Sequence, residues 1–165
     1  VLDDDAIARY ARQIVIPGVG AAGQQKLLES TVLVAGDARG CEQATLYLRA
    51  AGVNVVRWPT GIDASVDIVI VANAAGLDDE ARTAVQSCGK PLCWYVIEDD
   101  GFTSGLHPAA PLPGTPFQTA PAPVPESSTM HDAAACDAAS VACAILLGLP
   151  HRSGPFRFSL STEAK

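Results

Sequence analysis

The sequence predicts an α/β fold: a Rossmann-like, doubly wound, mainly parallel sheet with helices on both faces. Three observations lead there. Short apolar runs rich in β-branched residues recur at 31–35, 53–56, 66–72 and 92–97, the pattern of strands, and those at 66–72 and 92–97 read as buried, the first covered on both faces. Stretches of helical period separate most of these runs, as right-handed crossovers between parallel strands require. Glycines stand where such helices should stop, at Gly52 and Gly89, because the residue after a helix often adopts a left-handed conformation.

The chain opens on a helix. Asp3, Asp4 and Asp5 provide an N-cap and first-turn negative charge, which suits the positive end of the helix dipole. Ile7, Tyr10, Ala11 and Ile14 follow the spacing of one buried face, which places Arg9, Arg12 and Gln13 on the polar face. An Asp5–Arg9 pair one turn apart is expected there. Pro17-Gly18 ends the element, and 21–29 reads as a second helix. The strand at 31–35 follows, then a loop, then a helix near 41–51 with Ala44, Tyr47, Leu48 and Ala51 on one face. After the strands at 53–56 and 66–72, residues 77–87 form a helix whose first turn holds Asp78, Asp79 and Glu80. The strand at 92–97 comes next. Seven prolines between 107 and 125 forbid regular structure. An alanine-rich helix then runs from Asp132 to Leu147, stopped by Gly148 and Pro150, and FRFSL at 156–160 alternates like an edge strand.

These elements make one domain over 1–165: a helical arm (1–30), a core (31–106), a proline-rich loop (107–131) and a closing helix and strand (132–165). The 165-residue chain is 48% hydrophobic, enough to build a core. Its formal net charge of −7 argues against nucleic acid or an anionic membrane as partner. No leader and no spanning run stand out, so a cytoplasmic protein is expected. The five cysteines form no Cys-x-x-Cys pair and the three histidines are scattered, so no metal site is expected. Cys136 and Cys143, seven residues apart, are read as small core residues.

The stretch that invites a functional reading is GDARGCEQ, 36–43. It sits between a strand and a helix, where a phosphate loop belongs. Around it, RYARQIVIPGVGAAGQQKLLESTVLVAG (9–36) closely resembles the opening of the ThiF/MoeB/HesA proteins, the E1-like enzymes that activate ubiquitin-like and sulfur-carrier proteins. The resemblance resumes at ATLYLRAAGV (44–53), GKPL (89–92) and AILLGL (144–149). It implies a doubly wound fold, a dimer, and adenylation of a partner protein's C-terminal glycine with ATP and magnesium.

Set against that family, the nucleotide machinery is eroded. Of the family's Gly-x-Gly-Gly-x-Gly loop only Gly36 falls in register, and Asp37 adds a negative charge where a polyphosphate would sit. Arg39 offers a weak counterweight, so Gly36 and Arg39 are the remaining cofactor-binding candidates of a degenerate loop. The end of the second strand reads Arg57-Trp58-Pro59 instead of an acid for the ribose. The family's long segment with its phosphate-binding arginine and lysine is reduced to PTGIDAS (59–65), and its Asp-Ala-x-Asp pattern becomes Val71-Ala72-Asn73-Ala74. Charge developing in phosphoryl chemistry would have nothing to stabilise it. Cys93 lies in a strand between Leu92 and Trp94, and Cys41 opens a helix whose dipole favours a thiolate. For both, packing is expected rather than nucleophilic chemistry. What survives is Arg12. The resemblance implies that this arginine reaches across a dimer to the partner's ATP, as an arginine finger would.

The expected function is therefore a non-catalytic E1-like subunit. It would pair with a competent subunit or with itself, supply Arg12 in trans, and act on a ubiquitin-like or sulfur-carrier protein. No cofactor is expected in this chain; ATP and magnesium would come only with a partner subunit or a residual site. The alternatives are a non-enzymatic homodimeric scaffold and an active adenylyltransferase with an atypical loop.

Overall fold

A computed structural model describes residues 2–98, 100–107 and 128–159. Six strands form one sheet in the order β2-β1-β3-β4-β5-β6. They are β1 Thr31–Gly36, β2 Asn54–Arg57, β3 Ile68–Ala72, β4 Leu92–Glu98, β5 Gly101–His107 and β6 Phe156–Ser159. The first four are mutually parallel; β5 and β6 run antiparallel to their neighbours. The α/β architecture read from the sequence is the one found.

Alternation along each strand sorts side chains to two faces. Val32, Val34, Ile68, Ile70, Cys93 and Tyr95 pack against α3 (Ala38–Ala51) and α5 (Ser128–Leu147). Leu33, Val69 and Val71 pack on the other side against Ala81 and Val85 of α4 (Asp79–Ser87). Small residues let α5 sit close to the sheet: Ala134, Ala135, Ala138 and Ala142 are all buried. Its segment Thr129–Leu147 is long and apolar enough to cross a membrane by length and composition, but these alanines place it in the protein core.

Helix ends follow their sequence signals. Asp3 caps α1 (Asp4–Ile14) by accepting from the Ala6 amide at 2.8 Å. Asp78 caps α4 in the same way through Ala81, at 2.6 Å. Gly52 closes α3 with φ 93°, donating to Leu48 and Arg49, a conformation open to glycine at little strain.

Several expectations are corrected. Helix α3 starts at Ala38, not near 41, because Asp37 acts as its cap. Helix α5 begins at Ser128, four residues before Asp132, so 128–131 belong to it; the rest of the proline-rich stretch, 108–127, lies outside the described residues. Strand β5 has no counterpart among the sequence expectations and takes in His107. Its glycines are packing requirements: a Cβ on Gly105 would stand 2.6 Å from the Trp94 ring, and one on Gly101 1.8 Å from the Phe158 carbonyl. The edge strand β6 is where alternation put it. Arg157 on β6 bonds Glu98 and Asp100, at 3.2 Å each. Arg152, just before it, pairs with Asp137 of α5 and donates to Ser104 on β5 at 2.8 Å.

The arm departs furthest from expectation. On α1 only Tyr10 is buried, while Ile7 is 47% exposed; Val15 and Ile16, just beyond, are 78% and 49% exposed. Arg9 does not pair with Asp5; its guanidinium lies 5.5 Å from the Tyr10 ring centre. Gln13 is not on the solvated face. It donates to the Ala50 carbonyl at 2.9 Å, and Gln24 of α2 (Gly20–Glu29) donates to Ala51 at 3.0 Å. Two amides thus tie the arm to the C-terminal end of α3.

Candidate functional site

In an open parallel sheet, the crevice at the carboxyl ends of the strands is the place for a ligand. Here it is bounded by the end of β1, the first turn of α3 and the end of β3. Gly36 ends β1 with φ 135°, and a Cβ there would meet the Ala72 carbonyl oxygen at 1.9 Å. Glycine is thus required by the approach of β3. The Asp37 amide donates to the same carbonyl at 3.1 Å.

The Asp37 side chain turns back over the helix start. Its Oδ1 accepts from the Gly40 amide at 2.6 Å, and its Oδ2 accepts from Asn73 Nδ2 at 2.5 Å. A helix N-terminus attracts anions because its first amides lack partners and the dipole is positive there. In this chain the anion is its own carboxylate. Asn73 can hold it because it adopts a left-handed conformation, φ 56° and ψ 86°, which asparagine tolerates better than most residues. The other end of that amide is also used: Asn73 Oδ1 accepts from the Ile97 amide at 3.3 Å. The short 3-10 turn Ala74–Gly76 then lies on Asp37 so closely that a Cβ on Gly76 would be 2.6 Å from the Asp37 amide nitrogen.

The oxygens of a phosphate placed at this helix start would compete with Asp37 for the Gly40 amide and stand beside a carboxylate. Asp37, an unfavourable charge in the sequence, proves to be a ligand of the helix itself; an Asp immediately before a helical stretch was the signal for it. Asn73 and the close-packed turn had no such signal. Arg39 is exposed in the first turn of α3 and makes no hydrogen bond or ion pair among the described residues. Below Gly40 lies the Tyr95 hydroxyl, fully buried and without a hydrogen-bond partner among the described residues. Burial, with Asp37 nearby, raises its pKa. Among the described residues no three His, Cys, Asp or Glu converge to hold a metal ion.

The thiols are largely quiet. Burial pushes Cys93 up to about 12 and Cys143 up to about 11. Cys41 is buried four residues into α3, and burial raises its pKa too, with Arg57 partly opposing the shift. Cys136 is exposed rather than part of the core expected for it, while Cys143 is partly buried.

Arg12 stands apart from the crevice. It lies in the last turn of α1, is exposed, and makes no hydrogen bond or ion pair among the described residues. Its neighbour Gln13 is docked on Ala50, whereas Asp37 caps the opposite end of the same helix. Those ends are about 20 Å apart at the rise of an α-helix. The structure therefore does not bring Arg12 together with Gly36 and Arg39 in one chain.

Comparison with known proteins gives partial likenesses. No family model matches the chain. Over 53 residues it is 49% identical to the adenylyltransferase and sulfurtransferase MOCS3 of Anopheles gambiae, covering 32% of this chain and 12% of that protein. Over 91 residues it is 35% identical to the probable adenylyltransferase/sulfurtransferase MoeZ of Mycobacterium tuberculosis, covering 52% of this chain and 22% of that protein. The chain thus spans less than a quarter of these relatives' length. Among solved structures, the selenomethionine crystal structure of PaaA superposes with a TM-score of 0.71 at 13% identity, covering 98% of this chain and 72% of that one, a likeness of fold.

Proposed function

We propose that this chain is a degenerate E1-like protein of the ThiF/MoeB/HesA kind. In this reading it is the non-catalytic partner of an adenylyltransferase that activates a ubiquitin-like or sulfur-carrier protein, and it works in the cytoplasm. The fragmentary likeness to MOCS3 and MoeZ supports the family. The observation that carries the non-catalytic part is the Asp37 carboxylate, seated between the Gly40 amide and Asn73 where a nucleotide phosphate would have to bind. The chain then binds neither ATP nor magnesium on its own. Its contribution is Arg12, a guanidinium on an exposed arm with no partner among the described residues, whose fork of donors suits the phosphates of a partner's ATP.

The test is to mix the chain with an E1-like adenylyltransferase from the same organism and follow ATP–pyrophosphate exchange. A mixed complex whose exchange falls when Arg12 is replaced by alanine supports the reading. No mixed complex, together with no effect of Arg12→Ala, defeats it. A second reading, a non-enzymatic homodimeric scaffold, is favoured by the exposed apolar residues of the arm, Ile7, Val15 and Ile16. A stable homodimer indifferent to any E1-like subunit would select it. Pyrophosphate exchange by this chain alone would instead establish an active adenylyltransferase.

A further inference from the structure

The two N-terminal helices are held unequally. Helix α2 belongs to the body of the protein. Its Leu27 is part of the core beside β1, and Asn54 of β2 donates to the Leu28 carbonyl at 2.8 Å. A Cβ on Gly23 would stand 3.0 Å from the Leu147 side chain at the end of α5. The chain joins that body at Gly18, where a Cβ would stand 2.9 Å from Leu149. Helix α1 has much less. Its one buried side chain is Tyr10, with Leu2 buried just ahead of the helix. Neither belongs to the apolar clusters on the two faces of the sheet. Ile7, Val15 and Ile16 stay exposed, as does the whole link at 15–18.

Tyr10 sits in a notch that exists because residue 52 has no side chain. A Cβ on Gly52 would stand 3.1 Å from Tyr10 Cζ, 2.8 Å from Gln24 Nε2 and 3.2 Å from Leu28. Beside it, Gln13 bonds the Ala50 carbonyl at 2.9 Å, but this bond is exposed and exchanges with water at little net loss. Docking also has a cost. Gln24 is fully buried in the notch, and its Oε1 has no hydrogen-bond partner among the described residues. A buried acceptor without a donor is unfavourable, and lifting Tyr10 lets water reach it.

We infer that residues 2–16 form a detachable segment: α1 lifts off as a unit, Tyr10 leaving its notch at Gly52, while the sheet and the other helices stay folded.

Regions with few buried apolar contacts and exposed hydrogen bonds open at free energies below that of global unfolding. Here the body keeps every side chain of its two apolar clusters when α1 leaves. The exposed link at 15–18 supplies the pivot, since a few loop residues suffice to absorb a hinge motion. A free helix of 11 residues is marginal in water, so the amides of α1 exchange with solvent whenever it lifts. The inference concerns this chain alone and needs neither a nucleotide nor a partner. Arg12, two residues beyond Tyr10, moves with the segment.

The test is hydrogen–deuterium exchange of the full chain under native conditions, read by mass spectrometry of peptides. Peptides from 4–16 should exchange about a hundredfold or more faster than those from β1 and β3, because they open without the core. Tyr10→Ala should speed exchange in 4–16 by a further factor of about ten or more, since it removes the ring that fills the notch. Exchange in β1 and β3 should not change, which also shows that the variant is folded. A wild type in which 4–16 is protected as well as β1 would overturn the inference. So would a Tyr10→Ala variant that speeds both regions equally, or one that leaves exchange in 4–16 unaltered.

Discussion

Asn73, at the end of β3, donates its side-chain amide to Asp37 at the start of α3 across 2.5 Å. That bond joins the two strand ends between which a nucleotide would lie. The carboxylate also caps α3, so the contact is part of the fold as well as, in the proposed function, an obstacle to a phosphate.

Replacing Asp37 with alanine should therefore destabilise the protein. The Gly40 amide loses its cap and the Asn73 amide its acceptor, together about 1–3 kcal/mol. Urea denaturation of the variant beside wild type measures it. A change below a few tenths of a kcal/mol would mean that the cap is dispensable.

Gly36→Ala should be far worse. The added Cβ meets the Ala72 oxygen at 1.9 Å and the backbone sits at φ 135°. A loss of about 3 kcal/mol or more is expected, since both partners are backbone in adjoining strands and cannot swing aside. The thermal midpoint reports it.

Thiol labelling of the native protein should find Cys136 quickly and leave Cys93 untouched until unfolding, because one is exposed and the other buried with its pKa pushed up to about 12. The same shift sets a pH dependence. The unfolded thiol titrates near 9.0, below the folded one, so the folded state keeps the proton longer. Stability from Cys93 is complete below about pH 9 and falls as pH rises from there toward 12. Tyr95, raised by burial as well, acts in the same direction above pH 10. Denaturation curves across that range test the sign.

Arg12→Ala should leave stability within about 0.5 kcal/mol of wild type, since the side chain is exposed and has no partner among the described residues. In the proposed function its effect appears in the partner's chemistry instead. A large loss of thermal stability would show that Arg12 holds the fold instead.

Much of the core was legible because its signals are local. The runs around Val32, Val69 and Cys93 are apolar on both sides, which marks covered strands. Asp3, Asp78 and Gly52 are caps whose chemistry acts within one turn. What escaped depends on distant neighbours. Gly101 and Gly105 look like loop residues until Phe158 and Trp94 are seen against them. The spacing of Ile7, Tyr10, Ala11 and Ile14 marks a helix, but no period says whether a neighbour waits to cover it, and only Tyr10 is buried. At the crevice, the missing glycines could be read directly. That the capping Asp37 would also be held from the end of β3 depended on Asn73, thirty-six residues away.

Calorimetric titration of the chain with Mg-ATP tests the claim that Asp37 closes the crevice to a nucleotide phosphate. With Asp37 at the start of α3, no saturable heat is expected for the chain alone. Saturable binding in the micromolar range by the unmodified chain would contradict the claim, because Asp37 and a nucleotide phosphate cannot share the Gly40 amide.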